Sequence, residues 1–380
     1  MHCSPRLSLS TVVFGLALLS LSACGGSSPP PTRTEASLVL HVPCVTPPCT
    51  GDAPEPPPPI TAGRRPVSML ALGRAHSCAL TEDGVVHCWG DNQRGQLGET
   101  GMRESDTPAP VPSLPPMAAV WSGYDATCAR TSDDAQLFCW GNTGLGDAGR
   151  QGAVNALPFE GVRYVALADQ RGCFLTEAGE LYCWGRYPPP AGPRWDGPQR
   201  VRIPGGVRAV SLGWVRGCAA GGNGRLTCWG QQPVYIDIDS VPRTDRMWTY
   251  SELHEAAEVA FNEQVQALPV VLSEQGRLYQ VEVGEGHGHG AEHHLGRRVF
   301  DIDGTVQLTA GANHHCARTS AGDAYCWGSN RHGQVGDGSN APNRDEPRPL
   351  DLEGVQEIAA GGKHSCARTD AEVYCWGDNQ

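Results

Sequence analysis

The chain has 380 residues with 48 Gly and 31 Pro, and a hydrophobic fraction of 39% builds a large core only from short elements, which points to an all-β, turn-rich fold. A net charge of −12, from 29 Lys and Arg against 41 Asp and Glu, argues against the basic phosphate-binding surface of a nucleic-acid protein. No nucleic-acid partner is expected.

Taken in chain order, residues 1–23 read as an export signal: Arg6 near the start, an apolar run from Leu7 to Leu21, and small residues before Cys24. The run is too short and too poorly flanked to span a membrane. Leu21-Ser22-Ala23-Cys24 resembles the bacterial lipobox, and that resemblance implies a lipid on Cys24 as first mature residue; an ordinary secretory signal is the alternative. Gly25, in place of Asp, points to the outer membrane. Residues 24–56 then form a tether, opening with Gly25-Gly26-Ser27-Ser28-Pro29-Pro30-Pro31, in which Cys44 and Cys49 are placed for a small local disulfide. Losing Cys3 with the signal and Cys24 to the lipid leaves an even number of the 16 cysteines, as disulfides in an oxidising compartment require.

From there to the end one phrase returns: Cys88-Trp89-Gly90, Cys139-Trp140-Gly141, Cys183-Trp184-Gly185, Cys228-Trp229-Gly230, Cys326-Trp327-Gly328 and Cys375-Trp376-Gly377. The interval between the fourth and fifth copies is double, and Ser273-Glu274-Gln275-Gly276-Arg277-Leu278-Tyr279-Gln280 fills it, with Gln280 in the cysteine's place. The expectation is seven units within residues 57–380, near 67–115, 116–161, 162–206, 207–257, 258–304, 305–353 and 354–380. Each contains an apolar stretch ending in Gly, such as Ile358-Ala359-Ala360-Gly361, then two strands about a turn.

A first cysteine precedes each phrase, giving the pairs Cys78 and Cys88, Cys128 and Cys139, Cys173 and Cys183, Cys218 and Cys228, Cys316 and Cys326, and Cys366 and Cys375. Pairing the first two across a hairpin leaves Glu82-Asp83-Gly84 as its loop, with Gly84 where a left-handed residue is wanted. Spacing differences fall in the loop, and the degenerate unit lacks both members together, with Val270 and Gln280 at their positions. Both facts favour a disulfide in each hairpin. Structural zinc, the competing reading, uses close Cys-x-x-Cys pairs, and none exists.

The Cys-Trp-Gly strand followed by Asp91-Asn92-Gln93-Arg94-Gly95-Gln96-Leu97-Gly98, and again by Ser329-Asn330-Arg331-His332-Gly333-Gln334-Val335-Gly336, resembles the regulator of chromosome condensation repeat. That resemblance implies a seven-bladed β-propeller with four strands per blade and a central channel. Units three and four depart from it after Trp-Gly, into Arg186-Tyr187-Pro188 and Gln231-Gln232-Pro233. The last unit has room for only three strands, and Pro57 to Gly63, similar to Pro347 to Gly354, is expected to supply the fourth; Ser37 to Val42 is the alternative.

His76, His314 and His364 recur two positions before a cysteine, and the six repeat tryptophans recur with the phrase. Both sets are read as fold residues. Function is expected in what does not repeat. His287, His289, His293 and His294 form an imidazole cluster suited to Zn, Cu or Ni, with no resident cofactor expected. The stretch Gln231 to Phe261 reads as a long blade connection holding Tyr235, Trp248 and Tyr250, which suit a protein interface or a cover over the fifth blade. No nucleophile or phosphate-loop motif is found; His254-Glu255-Ala256-Ala257-Glu258 lacks the second His of a zinc protease, and Asp301-Ile302-Asp303-Gly304 is too short for a calcium loop. The expected function is a lipid-anchored extracytoplasmic scaffold, not an enzyme, that binds a protein or glycan partner through its rim loops. Inhibition of a secreted β-lactamase is the family alternative that fits the compartment, a carbohydrate-binding or carbohydrate-processing envelope protein is another, and guanine nucleotide exchange on a cytoplasmic GTPase does not fit it.

Overall fold

The computed structural model describes residues 66–98, 102–133, 136–145, 154–157, 159–185, 195–214, 216–230, 247–250, 256–262, 269–280, 297–300, 302–339, 341–370 and 372–378. The chain divides into an amino-terminal unit, Met1–Glu35, and a second, Ala36–Gln380, which holds every described residue.

The second unit is a seven-bladed β-propeller of antiparallel sheets. Blade 1 is β1 (Val67–Leu72), β2 (His76–Thr81), β3 (Val86–Asp91) and β4 (Glu104–Pro110). Blade 2 is β5 (Met117–Gly123), β6 (Ala126–Thr131), β7 (Leu137–Gly141) and β8 (Asn155–Leu157); blade 3 is β9 (Val162–Ala168), β10 (Arg171–Thr176), β11 (Leu181–Gly185) and β12 (Trp195–Val201). Blade 4 is β13 (Val207–Leu212), β14 (Arg216–Gly221), β15 (Leu226–Gly230) and β16 (Met247–Tyr250); blade 5 is β17 (Ala256–Ala260), β18 (Val270–Ser273), β19 (Leu278–Gln280) and β20 (Arg297–Phe300). Blade 6 is β21 (Thr305–Ala310), β22 (His314–Thr319), β23 (Ala324–Ser329) and β24 (Asn343–Pro349), and blade 7 shows β25 (Glu357–Ala360), β26 (His364–Arg368) and β27 (Val373–Gly377). Residues 57–63, expected to complete blade 7, lie outside the described residues.

Two expectations need correcting. Gln231 to Phe261 is not one connection: it contains the outer strand of blade 4 and the inner strand of blade 5, and β17 begins two residues before the expected boundary at 258. Trp248 and Tyr250 are therefore strand residues, opposite Cys228 and Leu226. The run Met247-Trp248-Thr249-Tyr250 is rich in strand-forming residues, but an outer strand carries no repeat signature to announce it.

Strand direction alternates, so the β1–β2 and β3–β4 connections and their equivalents open on one face, here the loop face. The short hairpin turns and the links between blades open on the other, the turn face. Each hairpin places its two cysteines directly opposite, Cys78 against Cys88 for example, with Cα atoms 4.1 Å apart and a disulfide between them. The same bond joins Cys128 to Cys139, Cys173 to Cys183, Cys218 to Cys228, Cys316 to Cys326 and Cys366 to Cys375. Gly84 turns the first hairpin with φ 82° and donates its N–H to Thr81 O, a conformation that a side chain would strain.

In blade 5 Val270 faces Gln280 in the register that the cysteines hold elsewhere. Closing a loop of this size stabilises by about 2–3 kcal/mol in the chain-entropy model. Blade 5 lacks that contribution, so the amides of Val270–Ser273 and Leu278–Gln280 are expected to exchange with deuterium faster than those of β22 and β23. Equal protection in the two hairpins, measured by mass spectrometry, contradicts this.

The core lies between blades. Ala71, Cys78, Leu80, Val86 and Cys88 of blade 1 pack against Met117, Val120, Ala129 and Trp140 of blade 2, and similar clusters fill the other seams. Fully burying one Val, Leu or Met side chain in such a layer contributes about 1.5–3 kcal/mol.

Candidate functional site

The structure reaches only part of the sequence-derived set. Cys24, Cys44, Cys49, Tyr235, His287, His289, His293 and His294 lie outside the described residues. Trp248 and Tyr250 stand on β16, as above. The twelve hairpin cysteines are paired and almost fully buried, the most accessible being Cys375 at 8%.

The recurrent histidines form latches between blades. His76 Nε2 lies 2.8 Å from Thr127 Oγ1, His314 Nε2 lies 2.8 Å from Ser365 Oγ, and His364 Nε2 lies 2.8 Å from Ser77 Oγ. These bonds cross the seams from blade 1 to 2, from 6 to 7, and from 7 to 1. The tautomer of His314 follows from the hydroxyl. Ser365 has one proton and donates it to Gln334 O at 2.9 Å, so His314 Nε2 must carry the proton it donates to Ser365. Thr127 donates to Gln96 O at 3.2 Å in the same way, which fixes His76. Burial holds His76 and His314 down at about 3, with His364 adding to the effect on each and His315 on the second, and holds His315 and His364 at about 4.

Main-chain bonds cross the same three seams: Arg74 N to Tyr124 O, Ala312 N to Gly361 O, and Gly362 N to Gly73 O. Gly311 makes the approach at the second seam possible, because a Cβ there would collide with Gly361 O and the His314 ring. The repeat tryptophans serve the seams too. Trp140 Nε1 donates to Gln96 O at 2.8 Å, Trp376 Nε1 to Gln334 O at 2.9 Å, and Trp184 Nε1 to Thr143 O at 2.8 Å. In blade 3, Arg171 occupies the histidine position and donates to Gly213 O of blade 4.

The seven inner strands surround a channel of about 520 Å³. Inner strands of neighbouring blades do not pair in a sheet, and side chains bridge them instead. Both Glu357 carboxylate oxygens accept Leu70 N–H at 3.1 Å, and Glu258 Oε2 accepts Leu308 N–H at 3.1 Å. Gln307 accepts Ile358 N–H and donates to Ile358 O, each at 3.1 Å. Burial pushes Glu258 and Glu357 up from the usual carboxylate range, although Arg368 beside Glu357 works against it. Among the described residues the exposed large apolar side chains are Trp214 at 49% and Met102 at 43% on the loop face, and Tyr164 at 40% and Val306 at 44% near the turn-face ends of inner strands.

Comparison with known proteins agrees with this architecture. Residues 68–96, 83–130, 305–334 and 321–368 match the regulator of chromosome condensation (RCC1) repeat. Two stretches of the chain, 68–130 and 305–368, are thus RCC1 repeats. The matched stretches contain all six latch residues, His76, Ser77, Thr127, His314, His364 and Ser365, so the best-conforming repeats are the latched ones. The ultraviolet-B receptor UVR8 of Arabidopsis thaliana is 28% identical over 312 residues, covering 74% of this chain and 69% of the receptor. Human E3 ubiquitin-protein ligase HERC2 is 27% identical over 287 residues, which cover 70% of this chain but 5% of the ligase. Two solved structures share the fold: human WBSCR16 (TM-score 0.64, 21% identity, 80% of this chain and 87% of that one) and Prp20p of Saccharomyces cerevisiae (TM-score 0.64, 20% identity, 79% and 82%).

The latch partners were within reach of the sequence. Ser or Thr stands directly before the first cysteine in units 1, 2 and 7, whereas units 3 and 4 have Gly172 and Gly217 there. That recurrence was the missed signal. The channel carboxylates carried none, since their meaning depends on which strand lies innermost.

Proposed function

We propose that this RCC1-repeat propeller is an extracytoplasmic binding scaffold that takes a protein partner on its loop face and is held to a membrane through a lipid on Cys24. One observation carries the reading: the connections that differ most between blades, residues 92–103, 142–154, 186–194, 231–246, 281–296 and 330–342, all attach at the loop-face ends of their strands. Loops of different length and composition on a rigid frame are the usual way for such a fold to recognise something. The repeated His, Trp and Cys side chains, which could otherwise suggest chemistry, are engaged in latches, seams and disulfides. Prp20p, which shares the fold, has binding properties to Gsp1p and histones, and a protein partner is the corresponding choice here. Six disulfides support an oxidising compartment.

Photocrosslinking groups placed at Trp214 and Met102 on the loop face, and at Glu82 and Pro112 on the turn face, test the choice in producing cells. Crosslinked protein from the first pair alone supports it. Crosslinks only from the second pair, or from neither, count against it. The anchor is tested separately, because Cys24→Ser is expected to move the chain from the membrane to the soluble fraction after signal cleavage. A variant that stays with membranes refutes the lipid reading.

A further inference from the structure

Two rim loops of the propeller are built alike. In blade 1, Asn92 Oδ1 accepts Leu97 N–H at 2.9 Å and Gln96 Oε1 accepts Arg94 N–H at 2.8 Å; in blade 6, Asn330 Oδ1 accepts Val335 N–H at 3.0 Å and Gln334 Oε1 accepts His332 N–H at 2.9 Å. Each loop is thus held in one shape by its own side chains, and the tips, Gln93-Arg94 and Arg331-His332, are exposed. A surface ordered in advance loses little entropy on binding.

What this rim displays is one sign of charge. Among the described residues of the loop-face connections in blades 6, 7 and 1, every exposed Lys, Arg, Asp or Glu is a cation: Arg74, Arg94, Arg103, Arg331 and Lys363. The acids beside them stand lower. The Asp378 side chain is 18% accessible against 54% for Lys363, whose Nζ lies 3.5 Å from Asp378 Oδ2, and His332 Nδ1 lies 3.5 Å from the same oxygen. Blade 7 meets blade 1 so closely that a Cβ on Gly362 would strike the Arg74 main chain. The cations therefore run from Arg331 through Lys363 to Arg74, whose guanidinium lies 5.1 Å from the centre of the Tyr124 ring. Arg94 joins Arg74 in opposing the rise that burial, with Asp91 and Asp169, imposes on the Asp125 carboxyl. In a chain of net charge −12 this is a local reversal of field.

The run is also short. Exposed Glu104 opens β4 on the outer side of blade 1, and Asp125 and Asp169 stand on the corresponding turns of blades 2 and 3. A long polyanion laid across the ring would meet those acids, whereas a short acidic segment would not. We propose that a short acidic segment of a protein partner docks along the rim of blades 6, 7 and 1, its carboxylates meeting Arg331, Lys363, Arg74 and Arg94. This rests on the reading that the partner lies on the loop face, and adds where it docks and by what chemistry. Arginine meets a carboxylate with two parallel N–H donors, and the attraction of the whole run steers the segment to the rim.

Fluorophore-labelled hexaglutamate is the probe and hexaglutamine the control, tested on the mature chain and on a triple variant, Arg94→Gln, Arg331→Gln and Lys363→Gln. All three side chains are exposed, so the variant should melt as the parent does. Hexaglutamate is expected to bind the parent, to bind the variant about tenfold more weakly, and to weaken as salt rises from about 0.05 to about 0.5 M, while hexaglutamine binds neither. No binding of hexaglutamate, equal binding to both proteins, indifference to salt, or binding to phosphatidylglycerol vesicles without binding to the peptide overturns the proposal. In producing cells the same variant is crosslinked from Trp214 and Met102. About tenfold less capture than by the parent supports the acidic segment. Equal capture overturns it and leaves the loop-face reading standing, whereas no capture by the parent defeats the loop-face reading and this inference with it.

Discussion

Acidification from about pH 7 to about pH 4.5 is expected to destabilise this propeller steeply, through histidines and not through surface carboxylates. His76, His314 and His315 are buried, and burial lowers their folded values from 6.5 to about 3, 3 and 4. The unfolded chain takes up protons near 6.5 and the folded chain does not until far lower. The stabilising difference is therefore complete above about 6.5 and is lost as pH falls toward the folded values. Each fully buried imidazole costs up to about 1.4 kcal/mol per pH unit in that window, and three cost up to about 4 kcal/mol per unit, against a total domain stability of about 5–15 kcal/mol. His364 acts in the same direction with less effect, being partly accessible. Glu258 and Glu357 act in the opposite sense, because their raised values favour the folded state as they protonate, but only at the acid end of the window.

Urea melts at a series of pH values measure this directly. A flat stability between about 6.5 and 4.5 would show that the latches do not exclude protons as described. His314→Gln keeps a side-chain N–H toward Ser365 and removes the titration, so it should reduce the slope by about one proton.

The second large effect is steric. Gly311→Ala is expected to cost about 3 kcal/mol, at the upper end of overpacking penalties, since its Cβ would press on Gly361 O and the His314 ring where the chains of blades 6 and 7 meet. Gly197→Ala on β12 is the matched control: a Cβ there meets nothing within 4 Å, and its effect should stay within about 0.5 kcal/mol. Similar melting temperatures for the two variants would mean that the seam yields, and that the close approach of Gly311 to Gly361 is not a constraint.

How much of this was readable from the chain differs by kind of contact. The hairpins were, because Cys78 and Cys88 are ten residues apart and their loop chemistry is local. The degenerate fifth unit was too, and Val270 does face Gln280. The latches were legible by half. His76, His314 and His364 announced themselves by recurrence, but each partner lies about a blade away or across the closing seam, 51 residues on for Thr127 and 287 for Ser77, so the pairing depends on how blades stack. Trp248 and Tyr250 were misplaced in a loop because outer strands repeat no signature. The channel bridges were invisible: Glu258 and Glu357 look like ordinary surface acids until the innermost strand is known.

The ring requires cysteines that are joined within hairpins and oxidised in the compartment where the chain works. Peptide mapping of the unreduced protein, isolated from producing cells with free thiols blocked at lysis, tests that most directly. The expected linkages are Cys78 to Cys88, Cys128 to Cys139, Cys173 to Cys183, Cys218 to Cys228, Cys316 to Cys326 and Cys366 to Cys375. Blocked thiols at these positions would place the chain in a reducing compartment, and bonds between blades would contradict the register on which the propeller, its latches and its channel are built.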